Sequence, residues 1–455
     1  MRINEFVASN GNGLADDDGE FSDWIELYND SDNPVDLGEW FLTDDPEAPT
    51  KWEFPSVTVP PRGYLVVFAS SKNRNSPKLH TSFSLSEGGE YLALIQPNGS
   101  IAEAFDPAYP AQRRNVSYGL AGDGTLSFFS TPTPGAPNGG GVINYVADTK
   151  FNPDRGFYDA PFDLAITTAT ADATIRYTTN GVAPTATSGT VYSGPVRISG
   201  TTTLRAAAFK AGYQPSNVDT HTYFFLDDVI RQSPTGAAPP GWPSSWGGNT
   251  VDYGMDPDVV NSPRYRDTIK NDLKTIPSIS IVMRLEDLFN PSTGIYANPR
   301  NDGPNWERAC SVELIFPDGR EGFQVNAGIR IRGGFSRSTD NPKHAFRLFF
   351  REEYGDSKLE YPMFGDAGAK EFDKLDLRTF QNYSWSFQGD SKGIFMRDQF
   401  SRDTQLEMGH QAERGEFYHL YINGVYWGLF NTCERPEAAY GATYFGGERE
   451  DYDAV

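Results

Sequence analysis

The sequence predicts a multidomain, mainly β protein: two β-sandwiches followed by an α+β lobe. Three observations lead there. Gly and Pro supply 77 of the 455 residues, about 17% against the ~12% of average usage, and 62 residues are Phe, Trp or Tyr. Short apolar runs alternate with turn clusters through the first half, and a helical period enters late. The net charge of −22 also falls in steps. Residues 1–142 carry −12, residues 143–224 are neutral and residues 225–455 carry −10. The steps coincide with a Pro- then Gly-rich stretch, Thr131 to Gly141, and with a second break from about Gln232 to Pro263. The expected organisation is a sandwich over 1–137, a linker over 138–142 and a sandwich over 143–224. A linker or extension over 225–276 and a third unit over 277–455 complete it.

Several classes are excluded at once. A chain this acidic is unsuited to wrapping nucleic acid or an anionic membrane. No apolar run approaches the ~20 residues of a membrane span. Two Cys rule out a disulfide scaffold. No basic, apolar leader precedes the first strand, so Met1 is expected to be internal to a longer protein.

In the first unit, Trp24 to Tyr28, Tyr64 to Phe68 and Tyr91 to Ile95 are strands beside Asn29-Asp30-Ser31-Asp32, Pro60-Pro61-Arg62-Gly63 and Pro97-Asn98-Gly99. Ile3-Asn4-Glu5-Phe6, Ser22 to Asn29 and Val35 to Asp44 resemble the lamin-tail domain of bacterial surface proteins. That resemblance implies an immunoglobulin-like interaction module without catalysis. Asp16, Asp17, Asp18, Glu20 and Asp23 crowd one loop. They are either Ca²⁺ ligands or, as the missing EF-hand spacing favours, a solvated acidic loop.

In the second unit, Thr174 to Thr178, Tyr192 to Ile198, Thr203 to Phe209 and Thr220 to Phe224 are strands. Tyr177-Thr178-Thr179-Asn180-Gly181 with Pro184, and Leu204 to Ala208, resemble the fibronectin-like domain appended to chitobiase. The resemblance implies an immunoglobulin-like spacer or accessory module. Tyr192 and Tyr213 are either sugar-stacking rings or core.

The third unit opens on Pro277 to Val282. Ser311 to Phe316 and Phe323 to Arg332 flank the turn Pro317-Asp318-Gly319-Arg320, and Arg330 and Arg332 share one strand face. Gly333-Gly334-Phe335-Ser336-Arg337-Ser338 breaks the strand, and His344 to Phe350 resumes it with Lys343 at its head. Ile394 to Met408 reads as a helix on which Phe400, Thr404 and Met408 share a face. Phe417 to Ile422 and Val425 to Phe430 flank Asn423-Gly424, a type I′ hairpin signature, and Cys433-Glu434-Arg435-Pro436 leaves the sheet. This is the element order of a kinase nucleotide lobe, in which a strand lysine meets phosphate and a helix carboxylate orients it.

Gly328 to Arg337, then Pro342 to Leu348, then Leu420 to Phe430 running into Glu434, resemble the CotH family of atypical protein kinases. The resemblance implies ATP and Mg²⁺ as cofactors, a protein Ser as substrate, and a place outside the cell or in its envelope. Surface proteins or polysaccharide are further candidate partners. It also implies that Lys343 contacts ATP phosphates, that Arg332 is a further cofactor-binding residue, and that Glu434 and Arg435 lie near the adenine. Glu407 or Asp398 is expected to orient Lys343. Alternatively, Lys343 is a solvated strand-end residue and Glu434 a helix cap. The family's Mg²⁺-binding Asp-X-Asp segment is expected beyond residue 455. The closing stretch Glu448 to Val455 contains Asp451 and Asp453 at that spacing but too soon after the hairpin. The third unit is therefore expected to be a truncated lobe with no metal ligands of its own.

Cys310 and Cys433 are expected to be unpaired thiols, since no spacing specifies a bridge. His344, His410 and His419 have no metal-ligand spacing, and hydrolase motifs are absent. The expected function is an exported surface or matrix protein carrying a CotH-type kinase. The competing reading is a non-catalytic adhesin or scaffold with a degenerate kinase-like domain.

Overall fold

A computed structural model describes residues 1–246, 248–341, 343–379, 392–447 and 449–453. Pro342, Glu448, Ala454 and Val455, used in the sequence reading, lie outside the described residues. The fold is mainly β, as expected, and it packs as two compact units. One comprises residues 1–146 with 210–214; the other comprises 147–209 with 215–455.

The first unit is a sandwich. Strands Arg2–Val7, Asp23–Tyr28, Tyr64–Ala69, Ser117–Leu120 and Leu126–Phe129 form a five-stranded antiparallel sheet. A four-stranded sheet, with Phe41–Thr43 and Leu92–Ile95 at its centre, faces it. Ile3, Phe6, Ile25, Leu27, Leu42, Trp52, Val67, Leu92 and Leu94 fill the core. The stretch read as a linker is fastened to the sheet. Asn138 Nδ2 donates to the Asn4 and Leu120 carbonyls, and Val142 exchanges backbone bonds with Phe128. Glu5 and Glu26, both fully buried, accept from the backbone amides of Thr133 and Gly135. Burial pushes the Glu26 carboxyl up to about 7.

The second unit joins two parts that the sequence separates. Strands Thr174–Thr178, Thr202–Phe209 and Asp219–Phe224 form the main sheet of a small sandwich whose core holds Leu164, Ile166, Leu204, Ala206 and Tyr223. Tyr192 is half-buried, as is Tyr213, whose segment packs with the first unit. Next comes a closed barrel of seven strands: β1 (Ser278–Val282), β2 (Arg308–Ile315), β3 (Phe323–Arg332), β4 (Ala345–Phe349), β5 (Lys374–Arg378), β6 (Gly415–Ile422) and β7 (Val425–Cys433). The order around it is β1-β2-β3-β4-β5-β7-β6, closed by parallel pairing of β1 with β6.

Alternation along these strands decides the two faces. Ile279, Ile281, Val312, Ile329, Ile331, Phe346, Leu348, Leu375, Leu377, Leu420 and Phe430 point inward as one core. The segment 225–276, expected to be a linker or extension, supplies Trp246 and Tyr253 to that core. Trp246 lies 5.8 Å from Trp427 and 5.2 Å from Tyr296, ring centre to ring centre. Asn423 and Gly424 take φ of 47° and 80° in the β6–β7 turn, as their sequence predicts. Asn423 also bonds both backbone groups of Met283 through its amide.

Sandwich and barrel meet through small polar side chains. Glu313, fully buried on β2, accepts from Thr222 N at 3.0 Å and from Thr222 Oγ1, which lies 2.8 Å from Ser280 Oγ. Arg155 Nη1 is 3.6 Å away. Burial pushes the Glu313 carboxyl up to about 7. This polar contact, with Phe224 packed 4.2 Å from Tyr421, is why the two parts form one unit.

Candidate functional site

The outer face of β3, β4 and β5 is charged because the residues alternating with the core positions are arginines and an aspartate. Arg332 at the end of β3 and Arg347 on β4 converge on Asp376 of β5. Arg332 Nε lies 3.0 Å from Asp376 Oδ2. Arg347 grips the same carboxylate with two bonds, at 2.6 and 3.0 Å. Two cations thus share one nearly buried carboxylate. Two residues along β5, Arg378 bonds Asp398 at the start of helix α1 (Arg397–Glu407). Arg402, one turn further along α1, lies 3.2 Å from Asp398 and donates to Asn431 on β7 at 2.8 Å.

Helix α1 therefore docks by polar contacts, and this corrects one expectation. Phe400 and Met408, expected to share a face, are 71% and 67% exposed, while Arg402 is the buried residue of the helix. Apolar periodicity marked a real helix but not its docked side.

The Gly333-Gly334 turn joins β3 to β4. Gly333 has φ of 103°, and a Cβ there would lie 1.8 Å from Ser336 Oγ, so the turn requires glycine. Ser336 Oγ donates to Arg332 O at 3.1 Å, and buried His344 lies 2.9 Å from Ser336 O through Nδ1. A cleft of about 490 Å³ opens along the turn, lined by Arg300, Asp302, Phe335 and Arg337.

The other expected site residues lie apart from this face. Lys343 Nζ donates to Trp427 O at 2.5 Å and sits 5.9 Å from the Trp427 ring. Burial lowers its ammonium to about 8, opposed by the charge of Asp252. Among the described residues no ion pair links Lys343 to Asp398 or Glu407; Asp398 serves Arg378 and Arg402. Glu434 is 3% exposed and accepts from Arg414 N at 2.8 Å and from Tyr444 OH. Burial raises its carboxyl. Arg435 Nε donates to Glu437, whose other oxygen accepts from Lys374. Glu434 and Arg435 line a cavity of about 450 Å³ with Phe372, Lys374, Tyr440 and Tyr444, beside helix α2 (Ala438–Phe445).

The sequence reading named Arg332 and missed Arg347, Asp376 and Arg378. The signal was present as Leu375-Asp376-Leu377-Arg378, alternating polar and apolar, but nothing local says that its polar side meets Arg332. Cys310 and Cys433 are buried and unpaired. In the first unit, Asp16, Asp17 and Asp18 form the only group of possible metal ligands among the described residues. Lys72, Arg74 and His80 already hold these carboxylates.

Comparison with known proteins places names on these regions. Residues 1–107 match the Lamin Tail Domain, residues 153–220 the chitobiase/beta-hexosaminidase C-terminal domain, and residues 329–452 the CotH kinase protein family. The last match runs from β3 through α2. No curated protein matches the chain. One solved structure, the sialic acid binding region of the Streptococcus sanguinis SK1 adhesin bound to 3'sLn, aligns at 11% identity. It covers 72% of this chain and 96% of that one at a TM-score of 0.13, too low to carry an argument.

Proposed function

We propose that the outer face of β3, β4 and β5 binds the phosphates of ATP, as the nucleotide lobe of a CotH-type kinase acting on protein Ser. One observation carries this reading. The strand order β3-β4-β5-β7-β6, with a glycine turn between the first two and a helix after the third, is that of a kinase lobe. In such a lobe a cation on the third strand pairs with a carboxylate on the following helix. Arg378 and Asp398 occupy those positions. On this reading Arg378 takes the role expected of Lys343, Arg332 remains a cofactor-binding residue and meets phosphate, and Glu434 with Arg435 lies at the lobe's exit segment.

The arginines suit a polyanion, since a guanidinium donates in a planar fork that matches phosphate oxygens. The carboxylates do not suit Mg²⁺: Asp376 and Asp398 are each shared by two arginines. Neither carboxylate is left to hold Mg²⁺.

ATP binding by the whole chain tests the reading. Arg378→Met and Arg332→Met are each expected to weaken binding about tenfold or more, the worth of a charged hydrogen bond. Lys343→Met is expected to change it less. Absence of binding would favour the non-catalytic scaffold. We also infer export to the cell surface from the lamin-tail and CotH modules; fractionation of the producing cell would test it, and a cytoplasmic pool would overturn it. No helix among the described residues is long and apolar enough to cross a membrane.

A further inference from the structure

A second concave site lies within the second unit, away from the arginine face. It is a half-open cleft of about 330 Å³ between the small sandwich and the barrel. Arg205, Ser216, Asn217 and Val218 form one wall, and Cys310, Gln324 and Asn326 form the other. Glu353, Tyr354 and Asp356, from the segment after β4, line its mouth.

Arg205 is 8% exposed, yet among the described residues no carboxylate lies within ion-pair distance of it. Among the described residues its one hydrogen bond runs from Nη1 to Gly181 O at 3.1 Å. A buried guanidinium with donors to spare is costly unless something accepts from it. The facing amides are held in place. Asn326 Nδ2 donates to Val218 O, and Gln324 bonds Ser311 Oγ and Thr220 N. Donors and acceptors are thus preorganised on both walls.

The lining decides the ligand class by elimination. Exposed Glu353 and Asp356 at the mouth repel an anion. Buried Arg205 repels a cation. A wholly apolar ligand could pack on Val218, Val325 and Tyr354 but would leave Arg205 and the amides unpaired. A neutral ligand rich in hydroxyls satisfies all three, because each hydroxyl both donates to carboxylate or amide oxygen and accepts from guanidinium. The volume sits at the small end of ligand sites and suits one ring of a sugar.

We propose that this cleft binds a single unit of a neutral saccharide, held between Arg205 on the sandwich and Asn326 and Asp356 on the barrel side. The site exists only while sandwich and barrel are fastened together, so neither module alone would carry it.

The test titrates glucose, galactose and N-acetylglucosamine into the whole chain, read by saturation-transfer NMR and calorimetry. Saturable binding of at least one of them is expected. Asp356→Ala, an exposed change that leaves the melting temperature in place, is expected to weaken it about fivefold, the worth of one hydrogen bond. Arg205→Met is expected to abolish it. Acetate and ethylammonium serve as charged probes. No saturable sugar binding, sugar binding indifferent to Asp356→Ala and Arg205→Met, or tighter binding of either charged probe would each overturn the proposal. ATP binding does not enter these readouts, so the outcome is independent of the kinase reading.

Discussion

Two charged clusters, one in each unit, are built from the same kinds of side chain and reach opposite ends. In the first unit, Asp16, Asp17, Asp18 and Glu20 face Lys72 and Arg74. Lys72 Nζ lies 2.6 Å from both Asp16 and Asp18 and 2.8 Å from Glu20. Arg74 takes Asp17 and Asp18, and His80 Nε2 lies 2.7 Å from Asp17. Burial by itself would raise the Asp16 carboxyl, but bonds from Lys72, the Asp18 and Glu20 amides and Ser22 outweigh it and hold it well below the usual range. This cluster is closed: its carboxylates already have their cations. On the barrel, Arg332 and Arg347 share the single carboxylate of Asp376, so positive charge is left over and faces outward. Residue types and density are similar; what differs is the sign in excess, four carboxylates to Lys72 and Arg74 in the first cluster and two arginines to one carboxylate on the barrel.

That contrast can be broken at its strongest point first. Asp376→Ala leaves two partly buried arginines without their anion and is expected to destabilise the second unit by about 3 kcal/mol, as for other broken buried pairs. Urea unfolding would measure it. A change near zero would mean that these charges are solvated, and the contrast would fail. Next in size, Lys72→Met leaves Asp16 without its ammonium and is expected to lower the melting temperature of the first unit, by less than Asp376→Ala lowers that of the second. With Lys72 in place, added Ca²⁺ is expected to leave the melting temperature unchanged; a clear rise would reopen the cluster as a metal site.

The third effect concerns a carboxylate that belongs to neither cluster. Glu313 has neutral hydrogen-bond partners, with Arg155 only at 3.6 Å. Burial has raised it from the ordinary 4.5 to about 7. An acid whose folded value is raised contributes stability while protonated, and that contribution is lost as pH rises from 4.5 through 7. Glu313→Gln, neutral throughout, is expected to gain on the parent over that window by at most about 1.4 kcal/mol per pH unit. His221 shifts the other way: burial lowers it to about 4, so its contribution is lost as pH falls through the acid range. The parent alone would therefore show a muted pH profile, and the difference between parent and variant is the informative readout. The smallest effect is chemical. Burial lowers the Lys343 ammonium to about 8 but also shields it, so Lys343 is expected to be acylated by an amine-directed reagent more slowly than exposed lysines in the folded chain. Mass spectrometry of limited modification would give the order.

Much of the fold was legible in the sequence. Asn423-Gly424 specified a tight hairpin because both residues tolerate positive φ, and both adopt it. The turns around Asp30, Gly63 and Gly99 marked the first sandwich. Less was legible where tertiary packing overrode local composition. The Gly-, Pro- and Trp-rich stretch near 240 reads as a linker, yet Trp246 and Tyr253 complete the barrel core. The helix at 397–407 was legible as a helix, but its docked side was not, because Arg402 rather than Phe400 reaches the sheet.

The candidate site divides in the same way. The sequence alone determined that Arg330 and Arg332 share a face, that glycines turn the chain after them, and that a helix precedes the last hairpin. Only the tertiary structure decided which strands are neighbours. Placing β5 between β4 and β7 brings Arg332, Arg347, Asp376, Arg378 and Asp398 from four elements onto one surface. It also turns Lys343 toward Trp427 instead. The physical reason is that a period of two tells which side chains point together along one strand. Which strand lies alongside is settled by burying the opposite, apolar faces in a common core, and that is a property of the whole barrel.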